Sequence, residues 1–144
     1  MDVRFSRLIT AEVEPGVVQL YKELSFLDKK FGEVVARKSF VSDKASIKIL
    51  RKVGLLWLYA LLVGYGDKSA ILHDWLYSGY GIKDRVKNKT YYPTRKESDE
   101  IYYRALRAEG VARWRAYIFY VGVRVGGKSS YTQKAVWNEC SLAE

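Results

Sequence analysis

The sequence predicts an α+β domain, a small N-terminal antiparallel β-meander packed on a four-helix C-terminal bundle. Three observations predict it. Apolar residues alternate loosely between turn signals over the first 45 residues. After Ser42-Asp43 the apolar spacing becomes helical. The chain has 144 residues, 49% hydrophobic and 28% charged, which suits one compact core rather than several. The expected layout is a single domain over 1–144. It is β-rich over 1–45 and helical over 46–126, with a tail at 127–144 that the pattern leaves unassigned.

A first strand is expected at residues 4–12, before Pro15-Gly16. Residues 17–26 alternate, Asp28-Lys29-Lys30-Phe31-Gly32 reads as a turn, and residues 33–38 form a short β-rich run. Residues 46–63 form a strongly apolar helix with Gly54 inside it, and Gly64-Tyr65-Gly66 breaks the chain. Asp67 can cap a helix that runs to Tyr77, because its carboxylate can accept from free backbone N–H groups. Residues 78–92 read as a loop rich in Gly and Lys. Thr94 and Glu97 have the spacing of a capping box, which starts a helix that runs to about residue 109. Gly110 ends it, since glycine tolerates a positive φ. A last helix is expected over 112–125, stopped by Gly126-Gly127.

Composition narrows the chemistry. A single cysteine, Cys140, allows neither an internal disulfide nor a Cys-pair zinc site. A single histidine means that any imidazole chemistry must use His73. The net charge of +9 is uneven. Residues 83–96 form a basic loop, and Arg104, Arg107, Arg113, Arg115, Arg124 and Lys128 are set against Glu109 alone. Such a surface suits an anionic partner, whether nucleic acid, phospholipid head groups or an acidic protein, and it also suits a plain solvated face. No recognition helix or zinc-finger spacing accompanies the charge. The first residues lack the apolar run of a signal peptide. The most apolar stretch, residues 55–63, is much shorter than the roughly 20 residues of a membrane span. A soluble protein made in a cytoplasm, with no transmembrane segment, is therefore expected.

Helical spacing decides which polar groups can meet. His73 shares a face with Ser69, Ala70, Leu76 and Tyr77, so it points inward. Asp74 flanks the same buried side. Asp99 aligns with Tyr102, Tyr103 and Leu106, and an inward Asp is costly unless it is hydrogen-bonded, paired or bound to a cation. A loop between the two helices makes them antiparallel neighbours. Asp99 accepting from one imidazole nitrogen would fix the tautomer and free the other as a general base. Asp74 would then be placed to hold a hard cation such as calcium. The same His–Asp pair would also serve simply to satisfy two buried polar groups.

The motifs Phe40-Val41-Ser42-Asp43-Lys44-Ala45-Ser46-Ile47, Ala70-Ile71-Leu72-His73-Asp74-Trp75-Leu76-Tyr77, Ser98-Asp99-Glu100-Ile101-Tyr102, Ala105-Leu106 and Gly110-Val111-Ala112-Arg113-Trp114-Arg115-Ala116 carry a resemblance. Together they resemble a family of phage and prophage proteins that is a domain of unknown function. The resemblance covers most of residues 17–126. It implies a phage or prophage origin, hence the host cytoplasm or the virion as the place of action. His-Asp-x-x-Tyr followed by an Asp on an antiparallel helix is also similar to the catalytic helix pair of calcium-dependent secreted phospholipases. That likeness implies that His73 activates a water, Asp74 ligates calcium, and Tyr77 and Asp99 buttress the His. The chain departs from the pattern in having one Cys and no clear glycine-rich calcium loop, Gly64-Tyr65-Gly66 being the nearest candidate. Asp43 could add a carboxylate to the metal, or could cap the helix from Ser46.

Two signals are set aside. The run from Gly122 to Ser129 matches the P-loop expression, but it follows a helical stretch where the mechanism needs a strand. Trp114, Tyr117, Tyr120 and Val121 fall at helical spacing and suit a core or partner interface better than base stacking. The leading expectation is a phage-encoded accessory or virion-associated protein that binds an anionic partner, or a phage or host protein, through a basic, aromatic surface. The alternative is a calcium-assisted, phospholipase-like hydrolase with catalytic His73, Asp99 and Tyr77 and metal-binding Asp74 and Asp43.

Overall fold

The computed structural model describes residues 5–15, 17–42, 65–84, 87–126 and 131. The fold is α+β. The strands are β1 (Thr10–Glu14), β2 (Val17–Leu20), β3 (Leu24–Asp28), β4 (Gly32–Ala36) and β5 (Val41–Ser42), then β6 (Ile82–Asp84) and β7 (Lys89–Tyr91). The helices are α1 (Asp67–Tyr77), α2 (Arg95–Ala108) and α3 (Arg113–Gly126).

Three of the four expected helices, α1, α2 and α3, fall among the described residues. The apolar helix expected over 46–63 lies outside them. The strands do not form one meander. They form an antiparallel sheet β1-β2-β5 and two separate hairpins, β3-β4 and β6-β7. The run at 17–26 breaks because Tyr21, Lys22 and Glu23 are exposed in succession, which a strand alternating between two faces does not allow. Leu20 and Leu24 on either side of the break are both buried. The loop at 78–92 contains the β6-β7 hairpin, whose turn is tied by the Lys87 N–H donating to Asp84 Oδ1 at 3.1 Å. Strands of three residues are too short to show a period.

Helix ends follow local chemistry closely. α2 begins with the expected capping box: Thr94 accepts from the Glu97 N–H and Glu97 accepts from the Thr94 N–H. Such a cap stabilises by about 1 kcal/mol. Gly110 follows α2 with φ +93°. At α1 the N-cap is Gly66 rather than Asp67, which sits in the first turn. Gly66 has φ +73°, and a Cβ there would run into the Leu106 side chain. The α1 N-terminus is instead satisfied by Glu109, at the far end of α2. Its carboxylate accepts from the Ser69 N–H at 2.9 Å and from Ser69 Oγ at 2.8 Å. A negative group at a helix N-terminus is favoured by the helix dipole.

Two apolar clusters fill the interior. One gathers Leu20, Leu24, Phe26 and Val34 from the strands against Ile71, Leu72 and Ile101 of α1 and α2. The other packs Ala70, Tyr102 and Leu106 against Ala116, Phe119 and Val123 of α3. Asp28 locks the β3-β4 hairpin onto α2. It accepts from the Lys30 and Phe31 N–H groups across the turn, and from Arg104 Nε at 2.6 Å and Nη2 at 3.1 Å. Burial alone would raise its pKa. The Arg104 and backbone donors outweigh burial and hold it below the ordinary 3.8.

Two outcomes follow. Gly66→Ala combines positive φ with a clash and should destabilise by about 1–3 kcal/mol, read from denaturant melts. Asp28 holds its proton less tightly folded than unfolded. Its stabilisation is therefore present above pH 3.8 and lost as pH falls through the lower, folded value. An Asp28→Asn variant should be less stable at neutral pH and lose part of the acid sensitivity of the parent, in melts taken from pH 6 downward. An unchanged pH dependence would rule this pairing out as an acid-sensitive tie.

Candidate functional site

The candidate site is built where α1, α2 and α3 meet. The α1 sequence places Ala70, His73 and Tyr77 on one side of the helix, and all three are buried. The α2 sequence places Asp99 and Tyr102 on the side that faces them, also buried. His73 Nε2 lies 2.8 Å from Asp99 Oδ1. The Tyr77 hydroxyl donates to the same oxygen at 2.5 Å. Arg124 Nη1, from α3, donates to Asp99 Oδ2 at 2.9 Å. The imidazole stacks on the Tyr102 ring, centroids 4.5 Å apart, and the Tyr77 ring lies tilted against it at 4.0 Å.

The hydrogen bonds around Asp99 set its charge state. Asp99 has no exposed surface, and burial alone would push its pKa up. Hydrogen bonds from His73, Tyr77 and Arg124 more than offset that and hold the carboxyl below its ordinary value. Burial and the Asp99 carboxylate push the Tyr77 phenol far above its usual range, so it stays a donor. Arg124 is raised by its hydrogen bond to Asp99. An ionised carboxylate only accepts, so His73 must carry its proton on Nε2 to make this bond. In the neutral ring Nδ1 is then a lone pair. Nδ1 is buried and has no hydrogen-bond partner among the described residues. An unsatisfied buried polar atom calls for a cause, and a reactive or ligand-facing atom is one.

His73, Tyr77 and Asp99 thus come together. Asp74 is half-buried, with Ser42 Oγ donating to its Oδ2 at 2.5 Å. This bond brings the end of β5 to α1. Asp43, the next residue, lies outside the described residues. A calcium ion takes six to eight oxygen ligands. Among the described residues no three His, Cys, Asp or Glu side chains gather to hold a metal ion.

Sequence reasoning missed Arg124 as the third arm on Asp99. A signal was present, because Arg124 is the lone charge in the apolar stretch from Ala116 to Val125, and such a charge needs a partner. It also missed Ser42 on Asp74 and Glu109 on the α1 terminus. These are contacts between residues 32 and 40 positions apart, which no local pattern encodes. The P-loop expression is set aside on structural grounds too, because Gly122 and Gly126 lie within α3. Among the described residues no helix is long and apolar enough to cross a membrane.

No curated protein and no solved structure matches the chain. A family model described as "Protein of unknown function (DUF1353)" matches residues 18–123, a stretch that runs from β2 to near the end of α3 and includes every member of the His73–Asp99 cluster except Arg124. The match spans most of the chain, which therefore belongs to the DUF1353 family.

Proposed function

We propose that the protein is a hydrolase whose base is His73, encoded by a phage or prophage as an accessory protein and acting in the host cytoplasm or on the virion. The observation that carries the catalytic reading is the buried Nδ1, without a hydrogen-bond partner among the described residues, of an imidazole whose Nε2 is held by Asp99. That is the arrangement of a general base. Nδ1 takes a proton from a water as the water attacks the ester carbonyl, Asp99 stabilises the imidazolium that forms, and the imidazolium gives the proton to the alcohol oxygen as the acyl C–O bond breaks. Tyr77 and Arg124 keep the carboxylate from rotating, and Tyr77 and Tyr102 fix the ring plane. The reading asks one thing of the site, that a water reach Nδ1. The similarity of His73-Asp74-x-x-Tyr77 and Asp99 to phospholipase helix pairs supports an ester as substrate. The phage origin rests on the motif resemblance alone.

A second reading is favoured by α3. Arg113, Trp114 and Tyr117 are exposed there, which supports binding of an anionic partner, or of a phage or host protein, through a basic, aromatic surface.

The single histidine makes the first reading easy to test. Nitrogen NMR of the ring should show the proton on Nε2 and a bare Nδ1. The opposite tautomer would be incompatible with the Asp99 bond. Purified protein should hydrolyse members of a panel of carboxylic and phospholipid esters, assayed with and without added calcium. His73→Ala should lower that rate by about a hundredfold or more while the fold melts cooperatively. An equal rate in the variant, or no hydrolysis by the parent anywhere in the panel, ends the catalytic reading.

A further inference from the structure

The outer side of α3 carries an apolar stripe that the fold does not use. Trp114, Tyr117, Val121 and Val125 recur three or four residues apart and so line one side of the helix. They are 49%, 61%, 39% and 78% exposed. The opposite side, Ala116, Phe119 and Val123, is buried in the core. A helix that is apolar on both sides is the pattern of one covered on both sides. The charge carried by α3 itself has one sign. Residues 113–126 contain three Arg and no acidic residue. Arg113 stands exposed at the head of the stripe. The Arg115 guanidinium lies 4.5 Å from the Trp114 ring centroid and 4.2 Å from that of Tyr65, which joins exposed Tyr65 to the patch. Tyr117 also borders a cleft of about 290 Å³ between α2 and α3, which Tyr103, Tyr120 and the charged residues Glu100 and Arg104 of α2 line with it.

We propose that this face docks on an anionic phospholipid surface. The inference deepens the surface reading above and does not depend on the His73 site. Aliphatic tips at Val121 and Val125 are suited to enter the acyl boundary, and Trp114, Tyr117 and Tyr65 to sit at the head-group level. Arg113 and Arg115 reach lipid phosphates while their stems lie along the apolar surface. A single-stranded nucleic acid asks instead for flat rings on which bases stack. The most exposed residue of the stripe is Val125, which offers no such ring.

The full chain, sedimented with vesicles, tests this. It should bind mixed phosphatidylglycerol–phosphatidylcholine vesicles, release them as salt rises, and leave pure phosphatidylcholine in the supernatant. The combined variant Tyr117→Ser, Val121→Ser, Val125→Ser should bind about tenfold more weakly with an unchanged circular dichroism spectrum. Brominated acyl chains should quench the fluorescence of the parent more than that of Trp114→Phe. The Trp114→Phe comparison decides the matter if the triple variant loses helix. Equal binding to uncharged vesicles, parental affinity in a folded triple variant, or equal quenching overturns the proposal. A chain that ignores vesicles but takes up an RNA homopolymer in a salt-sensitive way overturns the lipid inference and leaves the surface reading standing. A chain that ignores both overturns the two together.

Discussion

A single carboxylate holds the three helices in register. Asp99 of α2 accepts from His73 and Tyr77 of α1 on one oxygen and from Arg124 of α3 on the other. The carboxylate has no exposure at all, so its charge is tolerated only because every donor is in place. Removing one arm of such a buried pair costs about 3–5 kcal/mol, whereas a hydrophobic contact of the same size would tolerate sliding. The directionality matters here. Leu, Ile and Ala contacts between α1, α2 and α3 set how closely the helices approach, but they permit small rotations. Three hydrogen bonds to one planar group do not.

The same logic recurs at the edges of the domain, each time with one acidic residue. Asp28 ties a β-turn to α2 through Arg104, and Glu109 ties the last turn of α2 to the first turn of α1. In each case a carboxylate at the end of one element satisfies donors of another. α2 carries or adjoins one end of all three ties. It is therefore the element against which the hairpin, α1 and α3 are all positioned, and its capping box at Thr94 and Glu97 fixes where it starts. The close passage at Gly66 is part of the same geometry, since Leu106 of α2 occupies the space that a side chain there would need.

What the sequence made legible was whatever local spacing encodes. The α2 cap, its glycine stop at Gly110 and the extents of α1 and α3 are written in runs of a few residues. So are the inward faces of His73 and Asp99, because helical periodicity tells which side chains share a side. The strand layout was less legible. A two-residue β5 pairing with β2, and the three-residue β6 and β7, have no period to read, and their pairing is decided by chain closure elsewhere. The third arm of the site, Arg124, escaped because its meaning depends on α3 crossing α2 at one particular point. Its oddity, a lone charge in an apolar stretch, was visible, but its partner was not. Asp74 shows the reverse case. Its place beside His73 was legible, yet its hydrogen bond to Ser42 depends on where β5 ends.

Arg124 also links the interior to the outer surface electrostatically. It lies on α3, at the edge of the exposed stripe, with about a third of its side chain in solvent. Bound to Asp99, it is neutralised as a pair and contributes little to the field of that face at a distance. The outward positive field of α3 therefore comes mainly from Arg113 and Arg115. If Asp99 lost its charge, Arg124 would be freed toward the same surface and the face would gain a cation, while the His73 ring would lose the anionic acceptor that holds its tautomer. The two halves of the α3 surface thus draw on one charge. A substitution at Asp99 acts at once on the imidazole inside and on the basic face outside, in opposite directions.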